Sequence, residues 1–143
     1  MINFAKLKDI REDHDISQAK MAEILGTTRS AYSLWELGIN IIPLNYLCEY
    51  ADYFNLSLDY ILGLTIKNKK SIKKGLDFKV LGENLKKTRI NNNLSQENIA
   101  NILGVTQACI AKYEKGIICI STNNLYKFCK KFNITLNKIC GKE

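Results

Sequence analysis

The sequence predicts an all-α chain built from two tandem five-helix copies joined by a Lys-rich linker. Three observations carry this reading. The first is an internal repeat: slid against itself by 78 residues, the chain matches without gaps, and 21 of the 57 pairs from Leu7 to Gly63 are identical. The second is apolar spacing of helical period in both copies, with no alternation of period two long enough to argue a sheet. The third is punctuation, with Ser or Thr where helices begin and Gly where they stop.

Taken in order, Asn3 to His14 reads as an amphipathic helix with Phe4, Leu7, Ile10 and Arg11 on one side. Ser17 is a good N-cap for a second helix from Gln18 to Leu25, and Gly26 closes it where positive φ is easiest. Thr28 caps a third helix to about Glu36, stopped by Gly38. Pro43 fits the first turn of a fourth, because its missing N–H is not needed there. That helix presents Leu47, Tyr50, Ala51 and Phe54 as one stripe, kept in the second copy as Leu125, Phe128, Cys129 and Phe132. A short fifth helix holds Leu58, Ile61 and Leu62, matched by Leu136, Ile139 and Cys140. The predicted boundaries are residues 1–63, a linker at 64–76, and residues 77–143. Copies this small have little core to spare.

Composition narrows the function. The chain has 143 residues, 46% hydrophobic and 24% charged, a globular balance. It contains no apolar run of the ~18 residues a membrane span needs, and its N-terminus lacks a secretory pattern, so a cytoplasmic protein without a membrane partner is expected. The net charge is +7. It is −4 over residues 1–63, +5 over the linker (Lys67, Lys69, Lys70, Lys73, Lys74) and +6 over residues 77–143. A basic surplus points first to a polyanion such as nucleic acid. The five cysteines are odd in number and lack metal-ligand spacing, so they are read as reduced small hydrophobes, with Cys109 the candidate for a redox-sensitive thiol. With one histidine, His14, and no Gly-rich phosphate loop, the parts for catalysis are missing. No enzyme activity, cofactor or metal is expected.

The informative segments are SQAKMAEILGTTRSAYSLWELG and SQENIANILGVTQACIAKYEKG, each a helix, a tight turn and a helix. Ala22 and Ala100 sit where two helices cross closely. Tyr32 with Trp35, and Ile110 with Tyr113, are i, i+3 pairs that anchor the second helix on the first. Gln18 and Gln96 open the first helix, where side chain and free N–H groups can meet a phosphate. The other face of the second helix stays polar: Thr28, Arg29, Ser30 and Ser33 in one copy, Thr106, Gln107, Ala108 and Lys112 in the other. Such a short helix suits base edges in the major groove.

On these residues (Gln, Ala four on, Gly eight on, apolar residues fourteen and seventeen on, then Glu and Gly, in both copies) the chain resembles tandem helix-turn-helix domains of the phage-repressor/Cro-like, or xenobiotic-response-element, type. The LSLDYILG at 56–63 is similar to the end of such a domain. The resemblance implies a lambda-repressor-like fold and a sequence-specific transcriptional regulator, a repressor of bacterial, phage or mobile-element type. It implies base contacts from Thr28, Arg29, Ser30 and Leu34, and from Thr106, Gln107, Ala108 and Lys112, with Gln18 and Gln96 on phosphate. Lys112 and Lys115 stand where the first copy has Leu34 and Leu37, so phosphate attraction is expected mainly from the linker and second copy. The alternative is a protein-interaction module, such as a toxin-neutralising antitoxin or an anti-repressor, docking through Leu34 to Ile42.

Double-stranded DNA is therefore the expected partner, met by a homodimer or by one chain as an intrachain pseudo-dimer. Recognition helices on one DNA face have centres ~34–36 Å apart, and an extended linker of this length reaches ~43–47 Å. Sedimentation on a short duplex is expected to show one chain covering two half-sites; a two-chain complex overturns the pseudo-dimer.

Overall fold

The computed structural model describes residues 2–69 and 71–143; Lys70, one of the linker lysines, lies outside them. As the sequence predicts, the described residues are all-helical, with ten helices and no strand. They fall into two units that divide between Lys73 and Lys74.

Unit 1 contains α1 (Ala5–Asp13), α2 (Gln18–Leu25), α3 (Arg29–Glu36), α4 (Leu44–Phe54) and α5 (Leu58–Ile61). Unit 2 contains α6 (Phe78–Asn91), α7 (Gln96–Leu103), α8 (Gln107–Glu114), α9 (Thr122–Phe132) and α10 (Leu136–Ile139). Side-chain caps set most of the starts. Ser17 accepts from Lys20 N, Thr28 from Ala31 N, Ser95 from Asn98 N and Thr106 from Cys109 N. Gly26 and Gly104 end α2 and α7 at φ of +74° and +71°, which places the following helix across the first. Pro43 lies one residue outside α4 as its N-cap, in extended conformation, so its ring pre-sets entry to the helix without occupying its first turn.

Each unit closes around the residues with helical spacing. Leu7, Met21, Tyr32, Ile42, Leu47, Tyr50, Leu58 and Ile61 are fully buried in unit 1. Leu85, Ile99, Ile110, Ile120, Leu125, Phe128, Leu136 and Ile139 fill the same places in unit 2. Ala22 and Ala100 are buried at the α2–α3 and α7–α8 crossings. Tyr32 and Trp35 meet edge to face with centroids 6.0 Å apart. Part of the Lys-rich segment joins the units. Asn68 Oδ1 accepts from Ser57 N at 2.7 Å in unit 1, and the carbonyl of Lys74 accepts from buried Lys142 Nζ at 3.2 Å in unit 2.

The units differ at one end of one helix. By the repeat, Asp13 and Asn91 are equivalent, and α1 and α6 stop there together, yet α6 has 14 residues and α1 has 9. The whole difference lies at the start, where Phe4 is equivalent to Gly82. Gly82 runs so close to the end of α8 that a Cβ there would stand 2.4 Å from the Tyr113 carbonyl oxygen and 2.6 Å from that of Glu114. A phenylalanine has no room in that crossing, and Phe4 instead sits outside α1 as its N-cap with its ring buried. The extra turn of α6 also backs Lys79 onto Gly116, at 3.0 Å from where a Cβ would be, whereas no described residue lies within 4 Å at the equivalent Gly38. Gly82→Ala gains ~1 kcal/mol of helix propensity but forces two helices apart, an overpacking that costs ~1–3 kcal/mol. Net destabilisation of unit 2 is expected in thermal unfolding followed by circular dichroism, with emission of the only tryptophan, Trp35 in unit 1, unaffected.

Candidate nucleic-acid interface

The frame of each helix-turn-helix is a buried ion pair that the residue spacing did not announce. In unit 1, Arg11 Nε donates to Glu36 Oε2 at 2.6 Å and Nη2 to Oε1 at 3.0 Å, while Nη1 donates to the Ile16 carbonyl at 2.7 Å. Unit 2 repeats the arrangement with Arg89 and Glu114 at 2.6 and 2.9 Å, and with the Leu94 carbonyl at 3.0 Å. One guanidinium thus ties the first helix, the loop after it and the last residue of the third helix. Both carboxylates are almost sealed from solvent, at 2% and 5% side-chain exposure. Arg11 and Glu36 lie 25 residues apart, as do Arg89 and Glu114, and all four are identities of the repeat. That coincidence of spacing and chemistry was the available signal.

The first residue of the second helix joins this frame. Gln18 Nε2 donates to Glu36 Oε1 at 3.0 Å, and Gln96 Nε2 to Glu114 Oε1 at 3.0 Å. Each glutamine is half-buried, its amide turned inward at a helix start whose first N–H groups have no intrahelical partner. In unit 2 the chain of bonds continues outward: Gln107 Nε2 donates to Gln96 Oε1 at 2.8 Å. An ordered relay therefore runs from half-buried Arg89 through buried Glu114 and then Gln96 to exposed Gln107. Unit 1 has Arg29 at the equivalent place, exposed on the first turn of α3.

The rest of the anticipated face is laid out as follows. Thr28, Ser30, Thr106, Ala108, Lys112 and Lys115 are exposed, and Ser33 is half-buried with its hydroxyl donating to the Ser30 carbonyl at 2.9 Å. Thr28 and Thr106 spend their hydroxyl oxygens on capping α3 and α8. Lys112 and Lys115 follow Gln107 along α8 and its C-cap. Leu34, which the resemblance placed among the base contacts, is half-buried. Beyond α3, Leu37 is 70% exposed, Ile39 67% and Ile41 42%. Leu37 and Ile41 edge an open groove of about 660 Å³ that also takes in Ile2, Phe4 and Ala5, the stretch equivalent to the extra turn of α6 in unit 2. Ile117, the equivalent of Ile39, is also exposed.

All five cysteines lie outside any disulfide; Cys48, Cys129 and Cys140 are buried, and Cys109 and Cys119 half-buried. Among the described residues no cluster of His, Cys, Asp and Glu could hold a metal ion, and no helix is long and apolar enough to cross a membrane.

Comparison with known proteins finds the same two regions. Residues 7–61 match the family described as Helix-turn-helix, and residues 82–142 one described as Helix-turn-helix domain. The chain is 31% identical over 64 residues to Antitoxin PezA of Streptococcus pneumoniae serotype 4, covering 45% of this chain and 40% of that protein. It is 35% identical over 60 residues to YobD of Bacillus subtilis, an uncharacterized HTH-type transcriptional regulator, covering 42% and 54%. The chain thus spans about half the length of these curated relatives. Among solved structures it is similar to the restriction-modification controller protein C.AhdI of Aeromonas hydrophila, at 25% identity and a TM-score of 0.41, covering 44% of this chain and 96% of that one.

The frame has a pH signature. Burial pushes the Glu36 carboxyl upward, but the hydrogen bonds it receives, led by Arg11, outweigh burial and hold its pKa below the ordinary 4.5. Arg11 is raised, chiefly by its bond to Glu36, and Arg89 likewise by Glu114. A carboxyl depressed on folding stabilises fully above its unfolded pKa, and the gain is lost as pH falls through the folded value. Unfolding of unit 1, followed by Trp35 emission, is therefore expected to become easier as pH drops below about 4.5. Glu36→Gln is expected to cost ~3–5 kcal/mol at neutral pH, the penalty for breaking a buried pair, and to flatten the dependence in that window.

Proposed function

Because the chain belongs to the helix-turn-helix family in both of its units, we propose that it is a sequence-specific double-stranded DNA-binding transcriptional regulator, a repressor, with α3 and α8 entering the major groove. The observation that carries this reading is the relay ending at Gln107. Gln96 takes one hydrogen of the Gln107 amide. The remaining N–H and the carbonyl oxygen form the donor–acceptor pair that adenine accepts at N7 and offers at N6. A side chain held in that orientation before DNA arrives loses little freedom on binding.

The neighbouring residues take roles by chemistry and place. Thr106 and Ala108 flank Gln107, and the Ala108 methyl suits contact with thymine. Lys112 and Lys115 carry charge along the same side of α8 toward the backbone. Gln18 and Gln96 stand at the first turns of α2 and α7, whose open N–H groups accept a phosphate. Thr28, Arg29, Ser30 and Ser33 form the reading face of α3. Phosphate attraction scales with the basic groups brought to the duplex. The linker and residues 77–143, at +5 and +6, supply most of it, while residues 1–63, at −4, contribute mainly selectivity. One chain uses both units as an intrachain pseudo-dimer, in a cytoplasmic setting.

A second reading has its own support. Leu37, Ile39 and Ile41 expose more apolar surface than a reading head needs, and one relative is named an antitoxin. On that reading unit 1 docks a protein partner.

Titration of labelled duplexes by the full chain at several salt concentrations tests the proposal. Gln107→Ala is expected to cost ~1–3 kcal/mol on the preferred site only. Lys115→Ala is expected to weaken all sequences alike and lower the salt slope by about one. A chain that binds no duplex at low salt overturns the DNA reading and leaves the protein partner.

A further inference from the structure

The two copies agree where they build the frame and disagree where they would face a base. Arg11 and Arg89, Glu36 and Glu114, Gln18 and Gln96, Ala22 and Ala100, and Gly26 and Gly104 are identical pairs with the same bonds or burial in each unit. Along α3 and α8 the outward positions diverge after the shared caps Thr28 and Thr106. Arg29 stands against Gln107, Ser30 against Ala108, Ser33 against Ala111 and Leu34 against Lys112. A repeat that kept its scaffold and exchanged its outward residues presents the groove with two different surfaces.

Resting on the DNA reading above, we infer that one chain reads two unlike half-sites, and that Arg29 of unit 1 selects guanine where Gln107 of unit 2 selects adenine. Both residues occupy the first position of their helix, directly after the capping Thr. Gln107 offers an amide with one donor and one acceptor left over. Arg29 offers only donors, in the planar fork that matches guanine O6 and N7. The relay that orients Gln107 is present in unit 2, where Gln96 Oε1 accepts from Gln107 Nε2, and among the described residues no equivalent bond joins Arg29 to Gln18. The two letters follow from this exchange of donor patterns. The complete site equals neither its own reverse complement nor a direct repeat.

Selection from a pool of random-sequence duplexes with the full chain tests this, using wild type, Arg29→Gln and Arg29→Lys. Arg29 is exposed, so folding is checked simply by melting and Trp35 emission. The expected result is a two-part, asymmetric motif. Arg29→Gln replaces guanine by adenine in one part and leaves the Gln107 part unchanged. Replacing that guanine in the wild-type site lowers affinity roughly 5- to 160-fold, the equivalent of one bidentate contact at about 1–3 kcal/mol. Arg29→Lys keeps the charge and loses the fork, so it is expected to relax the guanine preference while preserving the salt slope. A palindrome, a direct repeat, or a motif unmoved by both variants overturns the inference while DNA binding stands; Arg29 then touches phosphate alone. Failure to retain any duplex removes the DNA reading itself and this inference with it.

Discussion

A guanidinium enclosed by a carboxylate and a loop carbonyl is expensive to desolvate, and the helix-turn-helix geometry of each unit depends on that enclosure being complete. Arg11 reaches across from α1 to the final residue of α3 and to the carbonyl of Ile16, and Arg89 does the same for α8 and Leu94. The apolar core would tolerate several helix orientations of similar burial. A bidentate pair with distances near 2.6–3.0 Å tolerates very few. The glutamine at the start of α2 or α7 then closes on the same carboxylate, so the ends of both helices of the motif are set from one point. Stability comes mainly from burial of residues such as Leu7, Tyr32, Leu85 and Phe128; the ion pair decides which packed arrangement those residues adopt.

This division explains how one scaffold carries two different outward faces. Anchors on the inner side of α3 and α8 vary in size but stay apolar: Tyr32 against Ile110, Trp35 against Tyr113. The frame pairs do not vary at all. Of the outer residues Gln107 bonds to the frame, through Gln96, and the exchange of outer residues leaves the helix order of the two units the same. In unit 2 the frame extends to the surface, because Gln107 Nε2 donates to Gln96 Oε1, while among the described residues no such bond joins Arg29 to Gln18 in unit 1.

Much of the fold was legible because its signals are local. Ser17, Thr28, Ser95 and Thr106 are N-caps in the structure as their side chains predict, and Gly26 and Gly104 take the left-handed turn. The apolar stripe of Leu47, Tyr50 and Ala51 is buried as its spacing predicts. Pro43 shifted by one step because its fixed φ serves the cap as well as the first turn. What escaped was non-local. Helical periodicity carries no information about residues 25 apart, so the Arg11–Glu36 pair was hidden although its members were identities of the repeat. The Gln96–Gln107 bond spans the turn of unit 2, beside the Arg89–Glu114 pair. The longer α6 was hidden for a related reason: Gly82 reads as a poor helix residue until the carbonyls of Tyr113 and Glu114 are brought against it.

That glycine gives α3 and α8 different resistance to local opening. In unit 2 the end of α8 is backed by a full extra turn of α6, with Gly82 against its last carbonyls and Lys79 against Gly116. At the equivalent flank of α3 no described residue comes within 4 Å of a Cβ built at Gly38. Segments with fewer buried neighbours open at lower free energy. The end of α8 is therefore the stiffer of the two, while the tail of α3 and the loop through Ile39 have more freedom to adjust. One chain so combines a rigid head with a compliant one.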